Sequence, residues 1–397
     1  MSSNDLRGLQ VVNKAYRSIL ALSAMTASLS SVALEAIPDD ELNHYTGQAF
    51  ITVDASSYSD ATLGNYEFTR VNLGLDIETL SNADELRIGE FDRSYGADGT
   101  APIVDDNRNI VFNADGSVAV HDADIIIQNF ALGRVDNYND PENAEIVPFK
   151  IKDPYIELAY KTDPANSSIR RIAGVRIGFG QAQGDLSGDL ISLTGNLEGE
   201  IRGPGSIAYD AACGDGGTAT WLQCIELSLA ANTEIYAEVK LLDGATGEDT
   251  LNGAPYLKRA SWIGVPTGTN FESDDSGLIA SLIPTLTTSE DCAVIGVTAC
   301  FRTTNYQSVY VGDPTKDFEN GSASGAFISL QLESVPWEDL SGIAGASRVY
   351  TEKGAFLNIA KYADSNGQQR YPLYLDLYNA LTGEPRVATC IGRTKGC

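Results

Sequence analysis

Apolar and polar side chains alternate along several stretches of the chain, most regularly between Gly184 and Gly203. From Ile191 the odd positions read Ile191, Leu193, Gly195, Leu197, Gly199, Ile201 and Gly203; the even ones read Ser192, Thr194, Asn196, Glu198, Glu200 and Arg202. Side chains of an extended chain point to opposite faces with period 2, so this stretch is predicted to be a strand with one apolar and one wet face. Glycine inside a strand packs nothing and costs backbone entropy. The row Leu193, Gly195, Leu197, Gly199 and Ile201 therefore predicts either a layer or partner chain close to the backbone, or a strongly bent sheet. It is the candidate packing or assembly face.

The same period predicts strands elsewhere. Tyr66 to Leu80 sets Val71, Leu73, Leu75 and Ile77 against Arg70, Asn72, Asp76 and Glu78. Further strands are expected at 86–91, 124–133, 149–151, 155–160 and 172–179, and then at 221–229, 234–242, 260–265, 278–286, 306–311, 325–335, 355–360 and 371–378. Asn113-Ala114-Asp115-Gly116 reads as a turn, Pro204 to Thr220 as a glycine-rich surface excursion, and Pro336 to Leu340 as the start of a helical turn. Pro38 with the acids Asp39, Asp40 and Glu41 suits the opening of a short N-terminal helix that Gly47 stops. The fold expected is all-β and mainly antiparallel, a large long-stranded sandwich or β-roll. Its texture changes after Gly203, which suggests an N-terminal lobe over 34–203 and a C-terminal lobe over 204–397.

Composition narrows the setting. With 38 Gly among 397 residues and only 2 His and 2 Met, the chain matches a turn-rich β protein. Its 54 acidic and 27 basic residues leave a formal charge of −27, which argues against nucleic acid as a partner. Residues 1–33 have the form of an export signal. Arg7, Lys14 and Arg17 precede an apolar run from Ile19 to Val32, and Ser31-Val32-Ala33 supplies the small residues a signal peptidase needs. No later segment is apolar enough for a membrane-spanning helix. The six cysteines form three local couples, Cys213 with Cys224, Cys292 with Cys300 and Cys390 with Cys397, as expected of a stapled, exported chain.

Beyond the presumed cleavage point stand Leu34, the acidic pair Asp39-Asp40, Leu42 and then Thr46-Gly47-Gln48-Ala49, leading into a strand. This segment resembles the mature N-terminus of exported gammaproteobacterial surface proteins, among them Fil-type pilus-system components. The resemblance spans about fifteen residues, carries no catalytic motif and implies a role at a cell surface or appendage.

Candidate chemistry is sparse. His44 and His121 are the sole histidines, and no nucleophile elbow, zinc-protease helix, phosphate loop or dinucleotide fingerprint occurs. The loop 136–143 offers oxygen ligands from Asp136, Asn139, Asp140 and Glu142, which makes calcium the candidate metal there. The expected function is non-catalytic binding or assembly at a Gram-negative envelope or surface, through self-assembly or other envelope proteins. The alternatives are a secreted carbohydrate-active enzyme, working through a pair of carboxylates, and an outer-membrane barrel.

Overall fold

A computed structural model describes residues 51–394 except 97, 167–168, 275–282 and 285–286. The signal segment, the expected N-terminal helix, His44 and most of the strand expected at 278–286 lie outside these residues. Residues from Ala49 onward form one unit. In chain order its principal elements are β1 (Ile51–Asp60), β2 (Gly64–Leu73), β3 (Ser81–Glu90), β4 (Ala123–Leu132), β5 (Phe149–Thr162), β6 (Arg170–Ser192) and β7 (Gly195–Pro204). Two helices follow, α1 (Gly205–Cys213) and α2 (Trp221–Ala230), and then β8 (Glu234–Leu242), β9 (Trp262–Gly264), β10 (Ser308–Val311) and β11 (Phe327–Gln331). The chain continues through β12 (Val335–Glu338), β13 (Arg348–Thr351), β14 (Gly354–Ile359), β15 (Leu373–Asp376) and α3 (Leu377–Thr382). The protein is mainly β and mainly antiparallel.

Two strands organise the rest because each belongs to two sheets. β6 pairs through Gln183 with β5 in the first sheet, and from Gly184 onward with β10 in the second. Gly184 takes φ 140°, and a side chain there would meet the Phe149 backbone at 3.0 Å. β7 repeats the move. Its residues up to Leu197 pair in parallel with β14, and those from Gly199 pair in parallel with β15. Hydrogen-bonded pairings then run β6–β11–β14–β7–β15–β10 and back to β6, a closed circuit. The first sheet continues outward as β6–β5–β2–β1, and the second as β6–β4–β3 on one side and β7–β8–β9 on the other. Strands from before and after residue 204 pair with one another in both sheets, and the boundary expected after Gly203 falls at the end of β7, which pairs with β14 and β15.

The closed circuit encloses the main core. Leu193, Leu197 and Ile201 are buried there with Leu373, Leu375 and Ile359. An apolar cavity of about 60 Å³ remains between Leu186, Leu193, Leu197, Leu357, Leu373 and Tyr306. The glycines of β7 serve this closure. A side chain at Gly195, where φ is 141°, would stand 2.0 Å from the Leu357 carbonyl oxygen, and one at Gly199 would touch Leu373 and Val239 at 3.0 to 3.1 Å. What crowds these glycines is the neighbouring strands of the bent sheets, so both sequence readings of the row hold in part.

Four expectations are corrected. Trp221 to Leu229 is helical because Thr220 and Gln223 form a reciprocal cap at its start, and the glycine-rich excursion before it contains α1, built on an alanine-rich run. Pro336 to Glu338 is extended and pairs with β13, where Trp337 faces Val349 across the ladder. The strand expected over 371–378 stops at Asp376, whose carboxylate accepts from Tyr378 and Asn379 N–H and starts α3.

Candidate binding surface

The first sheet has two faces of unexpected character. On one, register aligns Val53, Val71, Ile156, Ile177, Ile328 and Leu357 in a single row across six strands. Leu357 lines the core cavity, but outward along the row the cover ends: Ile156 is 45% exposed and Val53 63%. The next row holds Leu158, Val175 and Leu330, the last 44% exposed. Ile51 and Ile172 extend the face at its margins and are both more than half exposed. At the Ile172 end the apolar surface stops at an exposed ion pair, Arg170 to Glu67 at 2.7 Å. β1, ten residues long, pairs with β2 alone among the described residues.

The opposite face carries charge and is covered. Its row reads Asp54, Arg70, Glu157, Arg176 and Ser329. Arg176 is fully buried; its Nε donates to Glu157 Oε2 and its Nη1 to the Glu338 carbonyl oxygen at 2.8 Å. Arg70 Nη2 donates to Glu157 Oε1 at 3.1 Å and to Glu338 Oε2 at 2.5 Å. The hairpin β12–β13 closes over this row, and the Arg176 guanidinium lies 5.0 to 5.3 Å from the ring centres of Phe327, Trp337 and Tyr155. A desolvated ion pair is tolerated only when each charge has a close partner; both arginines have the Glu157 carboxylate, while among the described residues Arg70 Nε and Arg176 Nη2 find no hydrogen-bond acceptor. Burying the charged row leaves the aliphatic row outside.

A second apolar surface lies on α2. Leu227 and Ala230 turn inward, while Trp221 (71% exposed), Leu222, Ile225 and Leu229 face out. The helix is held by its cap and by the disulfide Cys213–Cys224.

The residues singled out in the sequence fall as follows. Cys213–Cys224 and Cys292–Cys300 are bonded, with Cα separations of 5.8 and 5.0 Å. Cys390 is also disulfide-bonded, and its expected partner Cys397 lies outside the described residues. Asp136 accepts from Arg134 Nε at 2.8 Å; Asp140 accepts from Glu142 N–H and Asn143 Nδ2, which holds its carboxyl below the usual range. Asp140 thus serves the turn itself and Asp136 the pair with Arg134. Among the described residues no group of three or more His, Cys, Asp or Glu side chains is placed to hold a metal ion. The row Leu193, Gly195, Leu197, Gly199 and Ile201 is interior to one chain, not an assembly surface.

A polar cleft of about 470 Å³ opens beside Arg87, Glu90, Asp92, His121, Asp122 and Arg259. Burial, with Arg259 and Arg302 adding to it against Asp122, pulls the His121 imidazole down to about 4, so it is neutral at pH 7. The cleft's cations already have partners. Arg87 is paired with Glu85, Glu90 and Asp122, while Arg259 is paired with buried Asp124 and donates to the carbonyls of His121 and Phe91. It reads as an ion cluster that ties β3 to the start of β4. No protein family, curated protein or solved structure matches the chain.

The open aliphatic face was not foreseen. What decides it is tertiary: Glu157 sits in register with Arg70 and Arg176, and the row's neighbours Phe68, Tyr155 and Phe327 are aromatic. Aromatic residues interleaved with opposite charges mark a face that can be buried despite its charge.

Proposed function

We propose that the chain is an exported protein of a Gram-negative cell envelope or surface, and that it works by binding or assembly through the open face of its first sheet. The observation that carries this is the exposed apolar surface of Val53, Ile156 and Leu330, with Ile51 and Ile172 at its margins, since apolar surface of this kind marks an interaction site. Two disulfides fit an oxidising compartment, and among the described residues no helix is long and apolar enough to cross a membrane. A photo-crosslinking residue placed at Ile156 or Leu330, activated in intact producing cells, is expected to give an adduct of higher mass. The same residue at Glu85, on the wet face of β3, is expected to give none. Folded, exported chain that forms no adduct from either apolar position would overturn the reading.

A further inference from the structure

The disulfides differ in their surroundings. Cys292 and Cys300 are each 4% exposed, whereas Cys213, at the end of α1, and Cys224, in the first turn of α2, are half-buried and keep accessible surface. The two helices form an excursion whose base is closed by the sheet. β7 and β8 stay in register out to Pro204 opposite Glu234, and Gly205 N–H donates to the Thr233 carbonyl oxygen at 2.8 Å. Near that base the excursion is anchored, since Ala208, Ala212, Leu227 and Ala230 are buried in the main core. Between Ala212 and Leu227 no residue is buried. Little besides the disulfide fastens this outer part. The cap joining Thr220 and Gln223 is internal to it; Ala219 N–H donates to the Ala212 carbonyl oxygen at 3.2 Å, and Thr218 Oγ1 reaches that of Gly296 at 3.5 Å. A helix start this short, with Trp221 and Ile225 turned outward, does not hold its shape alone in water. The covalent tie keeps it against α1.

We infer that Cys213–Cys224 is a thiol-exchange site, reduced by a neutral dithiol while Cys292–Cys300 stays bonded, and that its reduction frees residues 214–226 without opening the sheets. An accessible disulfide is reached directly by an attacking thiolate, while a buried one waits for the structure to open. That thiolate bonds to one Sγ, the Sγ–Sγ bond breaks, and the other cysteine leaves as a thiolate and takes up a proton. The reagent's second thiolate then closes on its own mixed disulfide and releases the first cysteine, so two electrons pass from the dithiol to the protein. Charge narrows the class of reductant. The excursion carries Asp210, Asp215 and Glu226, and there is no Lys or Arg between Arg202 and Lys240, so it repels anionic thiols and admits a neutral one.

The test is reduction of the full oxidised chain under native conditions, with each new thiol trapped by iodoacetamide and located by peptide mass. Dithiothreitol is expected to expose Cys213 and Cys224 about tenfold faster than Cys292 and Cys300, and to outpace glutathione by a margin that shrinks as salt rises from about 0.05 to about 0.5 M. Chymotrypsin should then cut at Trp221 or Leu222 in the selectively reduced chain and spare the oxidised one, while the far-ultraviolet sheet signal is unchanged. The double variant Cys213→Ser, Cys224→Ser should be cut there with no reductant present; if it does not fold, the wild-type chain carries the test alone. Equal labelling of the two pairs, or earlier labelling of Cys292 and Cys300, overturns the inference. So does a reduced chain as resistant as the oxidised one, a loss of sheet signal on selective reduction, or a margin over glutathione that ignores salt.

Discussion

The two sheets share β6 and β7, yet they dress their faces in opposite ways. In the second sheet the large aliphatics point into the closed circuit and charge lies outside. Glu198 faces Lys240, Arg202 faces Tyr236, and Lys361 reaches Glu238 at 2.6 Å. In the outer part of the first sheet, opposite charges lie under a Trp337 lid and the aliphatics lie outside. The second arrangement needs no further partner to be stable in water. The first leaves apolar area wet, and a chain that keeps such an area has a use for it at a contact. The contrast also separates two kinds of stability: hydrophobic closure in one sheet, a desolvated ion network in the other.

The comparison breaks most sharply at Glu157. Glu157→Ala leaves Arg176 buried without its carboxylate and should cost about 3–5 kcal/mol in denaturant unfolding. Glu85→Gln, on an exposed pair of the second sheet, should stay within about 0.5 kcal/mol. Equal costs would show that the buried row is no more dependent on its charges than the wet one.

Acid should act on the edge of the second sheet. The folded-state value of His121 lies near 4, below its ordinary 6.5. The unfolded chain therefore binds more protons between those values, and stability should fall as pH drops from about 6.5 to about 4, by at most ~3 kcal/mol from this group. Above that window the contribution is complete. His121→Gln should flatten this part of the stability profile.

A smaller effect is expected where the sheets join. Gly199→Val forces branched atoms against Leu373 and Val239 and should destabilise by roughly 1–3 kcal/mol. Least of all, Ile156→Thr on the open face should move the unfolding midpoint of dilute monomer by no more than about 0.5 kcal/mol. A loss of several kcal/mol there would mean the face is covered within the chain, and the contrast between the sheets would fall. Calcium added against chelator should leave the midpoint unchanged, because Asp136 and Asp140 already serve Arg134 and the turn.

Period-2 alternation fixed most strand positions, since it is a local property of the extended backbone: 234–242 was legible to the residue, and β4 and β14 nearly so. Cysteine spacing likewise foretold the bonded pairs Cys213–Cys224 and Cys292–Cys300, because short loops favour local closure. Helix α2 was missed because Trp, Leu and Ile suit either state, and the cap at Thr220 decided between them. Which face of a strand is buried was beyond the alternation. Ile156 and Leu158 against Glu157 reads as aliphatic in and charge out, and only the arrival of Arg176 from β6 and Trp337 from β12 made it cheaper to bury Glu157. Alternation assigns side chains to two faces from neighbouring residues; what covers each face depends on strands distant in sequence, brought together where β6 at Gly184 and β7 between Leu197 and Gly199 pass from one sheet into the other.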